Sequence, residues 1–157
     1  MTHRANLPQH ARRRLLQGAG ALVAATWLPA RAADAALPDI PALSGFLAGR
    51  PLRLERMRLD LPRLADNGLA VPMKIVVDEP FAPGPQVRAV NRFSEINPVP
   101  EMAVFEFVAP VERVELDSRV RLAATQRIVA VATMSDGVLF GAVAEVVVTL
   151  AACMDGT

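Results

Sequence analysis

Cys153 is the single cysteine of this 157-residue chain, and only Met154-Asp155-Gly156-Thr157 follow it. A thiolate is a strong nucleophile, so the groups available around it decide which chemistry is open. The usual catalytic companions are missing from most of the chain. Both histidines, His3 and His10, and the only tryptophan, Trp27, lie within the first 32 residues, and there is no tyrosine. With that stretch set aside, no Ser-His or Cys-His pair can form, and the commonest transition-metal ligand is absent. No spacing of Asp or Glu singles out the carboxylate pair that glycoside hydrolysis needs. Lys74, the one lysine, stands between Met73 and Ile75 and reads as a solvated strand residue rather than a catalytic amine. The expectation is a protein that carries no metal or cofactor and is not itself an enzyme.

The first 32 residues read as an export leader. Arg12-Arg13-Arg14 precedes Leu15-Leu16-Gln17, an apolar run from Gly18 to Leu28 and then Pro29-Ala30-Arg31-Ala32. A basic region, a short apolar region and a small-residue cleavage site in that order mark a secretory signal. The arginine pair followed by apolar residues is of twin-arginine type, which implies a periplasmic destination. The apolar run is well short of the roughly 20 residues that span a bilayer, so no membrane anchor is expected. The cysteine is at the wrong end for an N-terminal lipid anchor. Five of the 17 basic residues and none of the 16 acidic ones lie in the leader, which leaves 12 basic against 16 acidic residues. An acidic balance gives no electrostatic footprint for nucleic acid.

In an exported protein an unpaired cysteine is either a reactive or intermolecularly paired thiol or a small buried hydrophobe. The nearness of Cys153 to a fraying terminus favours the reactive thiol. The elements that must position it are short strands separated by turn signals. Leu52 to Leu61 reads as a first strand ending at Pro62, and Asn67-Gly68 as a turn suited to positive φ. Val71 to Val77 follows, then a proline-rich loop from Phe81 to Pro85, then Val87 to Phe93. Asn97-Pro98-Val99-Pro100 closes that strand. Met102 to Val108 and Val114 to Leu122 come next, the latter alternating through Val114, Leu116, Ser118, Val120 and Leu122. Arg127 to Met134 and Val138 to Leu150 flank Ser135-Asp136-Gly137, a hairpin signal. Leu43 to Ala48 reads as a short helix. About seven strands in a chain of this length fit an all-β fold, an antiparallel immunoglobulin-like β-sandwich, with a small barrel second.

The expected organisation is a leader over residues 1–32, a sandwich domain over 33–150 and a C-terminal arm over 151–157. Cys153 lies three residues past Leu150, so an extended arm carries the sulfur on the order of 10 Å from the sandwich. That geometry suits a carrier whose thiol enters another protein's active site. It suits an enzyme badly, because an enzyme must enclose its substrate.

Several segments, in order, resemble the SoxY family. Asp60-Leu61-Pro62-Arg63-Leu64-Ala65-Asp66-Asn67-Gly68-Leu69-Ala70-Val71-Pro72 is similar to its Leu-Pro-x-x-Ala-Glu-Asn-Gly-x-x-Val-Pro stretch. Asn97-Pro98-Val99-Pro100-Glu101 is similar to its Asn-Pro-x-Pro-Glu loop. Ser118 to Gln126 and Ala130 to Gly137 resemble its Arg-x-Arg-Leu…Gln and Ala…Ser-Asp-Gly segments. The likeness runs from about Phe46 to Cys153. It implies an immunoglobulin-like sandwich paired as a heterodimer with a small SoxZ-like subunit. It also implies covalent carriage of thiosulfate-derived sulfur on Cys153 during thiosulfate oxidation. The implied partners are a c-type cytochrome enzyme that loads the thiol, a hydrolase that releases sulfate and a dehydrogenase for the remaining sulfane sulfur.

The tail departs from the family pattern. Where the family has Gly-Gly-Cys-Gly-Gly, this arm reads Ala151-Ala152-Cys153-Met154-Asp155. Alanines stiffen the arm, Met154 adds bulk, and Asp155 disfavours a nearby thiolate by like-charge repulsion. A diverged carrier with different sulfur partners, or a non-carrier immunoglobulin-like interaction subunit, is the alternative reading. Arg119 and Arg121 share a strand face and are expected to meet Glu112, Glu115 or a partner subunit.

Overall fold

The computed structural model describes residues 37–78 and 84–151. The expected leader over residues 1–32, most of the expected Phe81–Pro85 loop and residues 152–157 lie outside the described residues. A short helix, α1 (Pro41–Leu47), opens the fold. Pro41 fits its first turn, where no amide donor is required, and Ala48 ends it in left-handed conformation with its N–H on the Ser44 carbonyl. Nine strands follow: β1 (Leu52–Arg53), β2 (Met57–Asp60), β3 (Leu64–Ala65), β4 (Val71–Val77), β5 (Val87–Ser94), β6 (Glu101–Glu106), β7 (Val114–Val120), β8 (Gln126–Met134) and β9 (Leu139–Val148). Among the described residues no helix is long and apolar enough to cross a membrane.

The strands form two sheets. One runs β1-β9-β8-β5-β6, with β3 also on β9, and the other runs β2-β4-β7. This is the expected immunoglobulin-like sandwich. The seven longer strands pair antiparallel, and the two extra strands, β1 and β3, are two-residue bridges that run parallel to β9. The expected first strand, Leu52 to Leu61, is divided. Arg56 takes φ 57°, which ends β1 on the larger sheet and swings the chain across to begin β2 on the smaller one. A non-glycine residue there is disfavoured by about 1–2 kcal/mol. Two contacts offset this: the Arg56 carbonyl accepts the Asp78 N–H at 2.8 Å, and its guanidinium lies 5.3 Å from the Phe140 ring centre.

The main core lies between the sheets and is built from inward residues such as Val71, Met73, Ile75, Val90, Val114, Val120, Ile128, Ala130 and Val146. A second core covers the outer face of the larger sheet. There Ile40 and Leu43 from the α1 region pack on Phe93, Val129, Val131 and Leu139, and Phe46 meets Phe93 with ring centres 5.4 Å apart. Both faces of β8 are therefore buried, which explains its unbroken apolar run from Ile128 to Ala132. At the Ser135-Asp136-Gly137 hairpin, Gly137 adopts φ 84°, and the Met134 and Val138 backbones close the loop at 2.9 Å. A turn followed by a left-handed glycine matches the twist of the strands it joins. The Asn67-Gly68 expectation differs. Asn67 is extended, and its side chain caps a 3-10 turn, Gly68–Ala70, by accepting the Leu69 N–H at 2.8 Å.

Candidate functional site

The candidate site is the end of the sandwich where β9 finishes, five residues before Cys153 in the sequence. A chain of hydrogen bonds fixes that end. The Thr149 N–H donates to the Ala65 carbonyl at 3.0 Å, and its hydroxyl donates to the Asp66 carbonyl at 3.0 Å. The Gly68 N–H donates to the Leu150 carbonyl at 2.9 Å. The Leu122 N–H donates in turn to the Gly68 carbonyl at 2.8 Å. Thus the Ala65-Asp66-Asn67-Gly68 segment grips the chain up to Leu150. Ala151 is the next residue; it is exposed and belongs to no regular element. Ala152, Cys153, Met154 and Asp155 lie outside the described residues.

The loop that carries Leu122 is held from the other side by a buried polar cluster. The Asn97 amide donates to the Arg121 carbonyl at 2.8 Å, and its oxygen accepts the Ala123 N–H at 3.0 Å and Gln126 Nε2 at 2.9 Å. Gln126 Oε1 accepts from the Ser94 hydroxyl and from the Ile96 N–H. Ser94 and Gln126 are almost wholly enclosed, so each bond replaces water that has been excluded. Beside this cluster Glu95 accepts two bonds from the Arg127 guanidinium, at 2.6 and 3.0 Å, and one from the Arg127 N–H. The Arg127 side-chain bonds hold the Glu95 carboxyl below its usual pKa. The Asn97-to-Glu101 and Arg121-to-Gln126 segments that stood out in the sequence are therefore one scaffold. It buttresses the loop whose Leu122 holds Gly68 and, through Gly68, Leu150.

Along the open flank between β6 and β7 lies a cleft of about 240 Å³, lined by Arg92, Asn97, Val99, Met102, Arg119, Val120 and Arg121. Sequence reasoning missed Arg92, which reads as one charge within the strand Val87 to Phe93. Strand parity places it on the inward face with Val90, and it is only 6% exposed. Its Nη1 donates to the Ser118 hydroxyl at 3.3 Å, and the guanidinium lies 4.9 Å from the Phe105 ring centre. Arg92 Nε is the one buried side-chain nitrogen or oxygen among the described residues without a hydrogen-bond partner. Burial lowers the pKa of the guanidinium from its ordinary value, although an arginine keeps its charge. A cation–π contact gives about 0.5–2 kcal/mol, less than the several kcal/mol of burying an ion. A bulge shapes the cleft mouth. Arg92 pairs with Ala103 and Phe93 with Glu101, which leaves Met102 unpaired and packed toward the core.

Arg119 and Arg121 do not meet the carboxylates expected for them. Glu115 instead binds Lys74 and Arg113, and among the described residues neither Arg119 nor Arg121 forms an ion pair. Lys74 also approaches Asp117 at 3.9 Å. Its bond to Glu115 raises its pKa, the behaviour of a charged surface lysine. No group of three or more metal-capable side chains occurs among the described residues.

Residues 45–153 match the family described as sulfur oxidation protein SoxY. No curated protein matches the sequence. Among solved structures, the chain is similar to the sulfur carrier protein SoxY from Chlorobium limicola f thiosulfatophilum, with 27% identity and a TM-score of 0.56. That alignment covers 67% of this chain and 86% of the other. A putative superoxide reductase from Thermotoga maritima aligns with 16% identity and a TM-score of 0.51, over 60% of this chain and 87% of that one. The second likeness shows a shared fold only.

Proposed function

The chain belongs to the SoxY family of sulfur oxidation proteins, and from that membership we propose that it is a periplasmic sulfur carrier working through Cys153. The observation that carries this reading is the fixed root of the arm. Among the described residues the bond nearest the C-terminus is the one made at Leu150, and the family match continues past it to end on Cys153. A thiol three residues beyond a rigid anchor can enter a partner's active site while the domain stays outside.

In this role the chain is substrate to other enzymes rather than a catalyst. The Cys153 thiolate and the outer sulfur of thiosulfate form an S–S bond, and the two electrons released pass to a c-type cytochrome enzyme. Water then cleaves the terminal sulfonate as sulfate through a hydrolase, which leaves a persulfide on the cysteine. A dehydrogenase oxidises that sulfane sulfur further. A SoxZ-like small subunit completes a heterodimer, and the twin-arginine-type leader delivers the chain to the periplasm. The protein holds no cofactor beyond the covalent sulfur.

Intact mass of the chain purified from thiosulfate-grown cells tests the reading. A sulfane or S-thiosulfonate adduct is expected on the native chain and none on Cys153→Ala. Full thiosulfate oxidation by a Cys153→Ala strain overturns carriage and leaves an interaction subunit.

A further inference from the structure

We propose that the cleft between β6 and β7 is a binding site for a small tetrahedral oxoanion, held by Arg92, Arg119 and Arg121. Arg92, Arg119 and Arg121 all line one cleft of about 240 Å³, Arg92 as a buried residue and the other two as exposed residues at the edge formed by β7, and no carboxylate is among the lining residues. In a domain where acidic residues outnumber basic ones, that local excess of positive charge is a specific arrangement. The other clustered cations are paired: Lys74 and Arg113 share Glu115, and Arg127 holds Glu95.

Arg92 makes the strongest case. It is 94% buried, it has no carboxylate partner, and its Nε has no hydrogen-bond partner. Its one polar side-chain contact, the Ser118 hydroxyl, is neutral and 3.3 Å away. A buried cation left without a counter-charge is unfavourable, and an anion in the cleft supplies the missing charge. The guanidinium fork matches the oxygens of a sulfate-like group. Asn97 is not a ligand, because its amide and carbonyl are already engaged with Arg121, Ala123 and Gln126. Its part is to fix the Arg121 backbone at the cleft edge. Met102 and Val120 supply apolar walls beside Arg92, which lower the local dielectric and strengthen the charge interaction.

The inference does not depend on carriage by Cys153, and it is tested on the Cys153→Ser chain, purified with any subunit that accompanies it. Thermal unfolding is followed while sodium sulfate or sodium thiosulfate replaces sodium chloride at constant ionic strength. Both oxoanions are expected to raise the midpoint by a few degrees, on the order of 5 °C at saturating concentration. Sodium acetate, which stands for a partner's carboxylate side chain, is expected to give no such rise. Arg119→Gln combined with Arg121→Gln, both at exposed positions, keeps the fold and weakens oxoanion binding about tenfold or more. Arg92→Met abolishes the rise. If that variant does not fold, the surface pair decides. Equal stabilisation by acetate or chloride overturns the proposal, as does an undiminished response in the surface pair.

Discussion

Asn97 shows how a single side chain can hold a functional end in place without touching any substrate. Its amide and carbonyl tie the Arg121 carbonyl, the Ala123 N–H and the Gln126 amide into one cluster. Removing it leaves those groups unpaired in a largely dry environment, and each such loss is worth about 1–3 kcal/mol. Asn97→Ala is therefore expected to destabilise the domain by about 3 kcal/mol, measured by urea unfolding. Loss of less than about 1 kcal/mol would show that water replaces the cluster. Cys153 belongs at this scale too. Its value lies in being the only thiol, so any adduct mass locates itself.

Among the elements, β9 matters most. It borders β8 along its length and takes β1 and β3 as parallel bridges on its other edge. Its C-terminal end is then gripped by Thr149 and Leu150 through the Ala65-to-Gly68 segment. This fixes the chain at Thr149 and Leu150, just before the residues proposed as the arm. Thr149→Val removes the hydroxyl bond to the Asp66 carbonyl and is expected to cost about 1 kcal/mol. The diagnostic readout is amide hydrogen exchange at Gly68, whose N–H donates to Leu150. Exchange there is expected to accelerate while that of the β8 amides stays unchanged. Uniform acceleration across β8 would mean that the grip is part of the global fold and not a local anchor.

For the molecule as a whole, the second core separates this sandwich from a plain two-layer one. Ile40 and Leu43 seal the outer face of the larger sheet, and Leu43 is 2% exposed. Without that cover, Phe93, Val129, Val131 and Leu139 would form an apolar patch on the sheet. Leu43→Ala is expected to lower stability by about 3 kcal/mol and to increase binding of a hydrophobic dye before the unfolding transition. An unchanged midpoint would show that α1 is a loosely held flap. The flank where β6 and β7 leave the sandwich open has the Arg92 cleft in place of an apolar seal.

Strand periodicity and turn chemistry made most of this fold legible in the sequence. Val71 to Val77 coincides with β4, and the alternation from Val114 to Leu122 gives the inward face of β7, Ser118 included. The lone cysteine and the order of the Asp-Asn-Gly, Asn-Pro-Val-Pro and Arg-Val-Arg-Leu segments pointed to the family that the comparisons show. These features are local or depend only on order along the chain. What they could not supply was proximity between distant segments. The break at Arg56 depends on which sheet each half-strand joins. Asn67 was legible as a turn former, but its extended, capping geometry follows from Gly68 being pinned between Leu122 and Leu150. Arg92 looked like one more strand charge until β7 was placed opposite it, with Arg119 and Arg121 at the same cleft. A sequence fixes the charge a residue carries, but whether that charge is compensated depends on neighbours that only folding brings together.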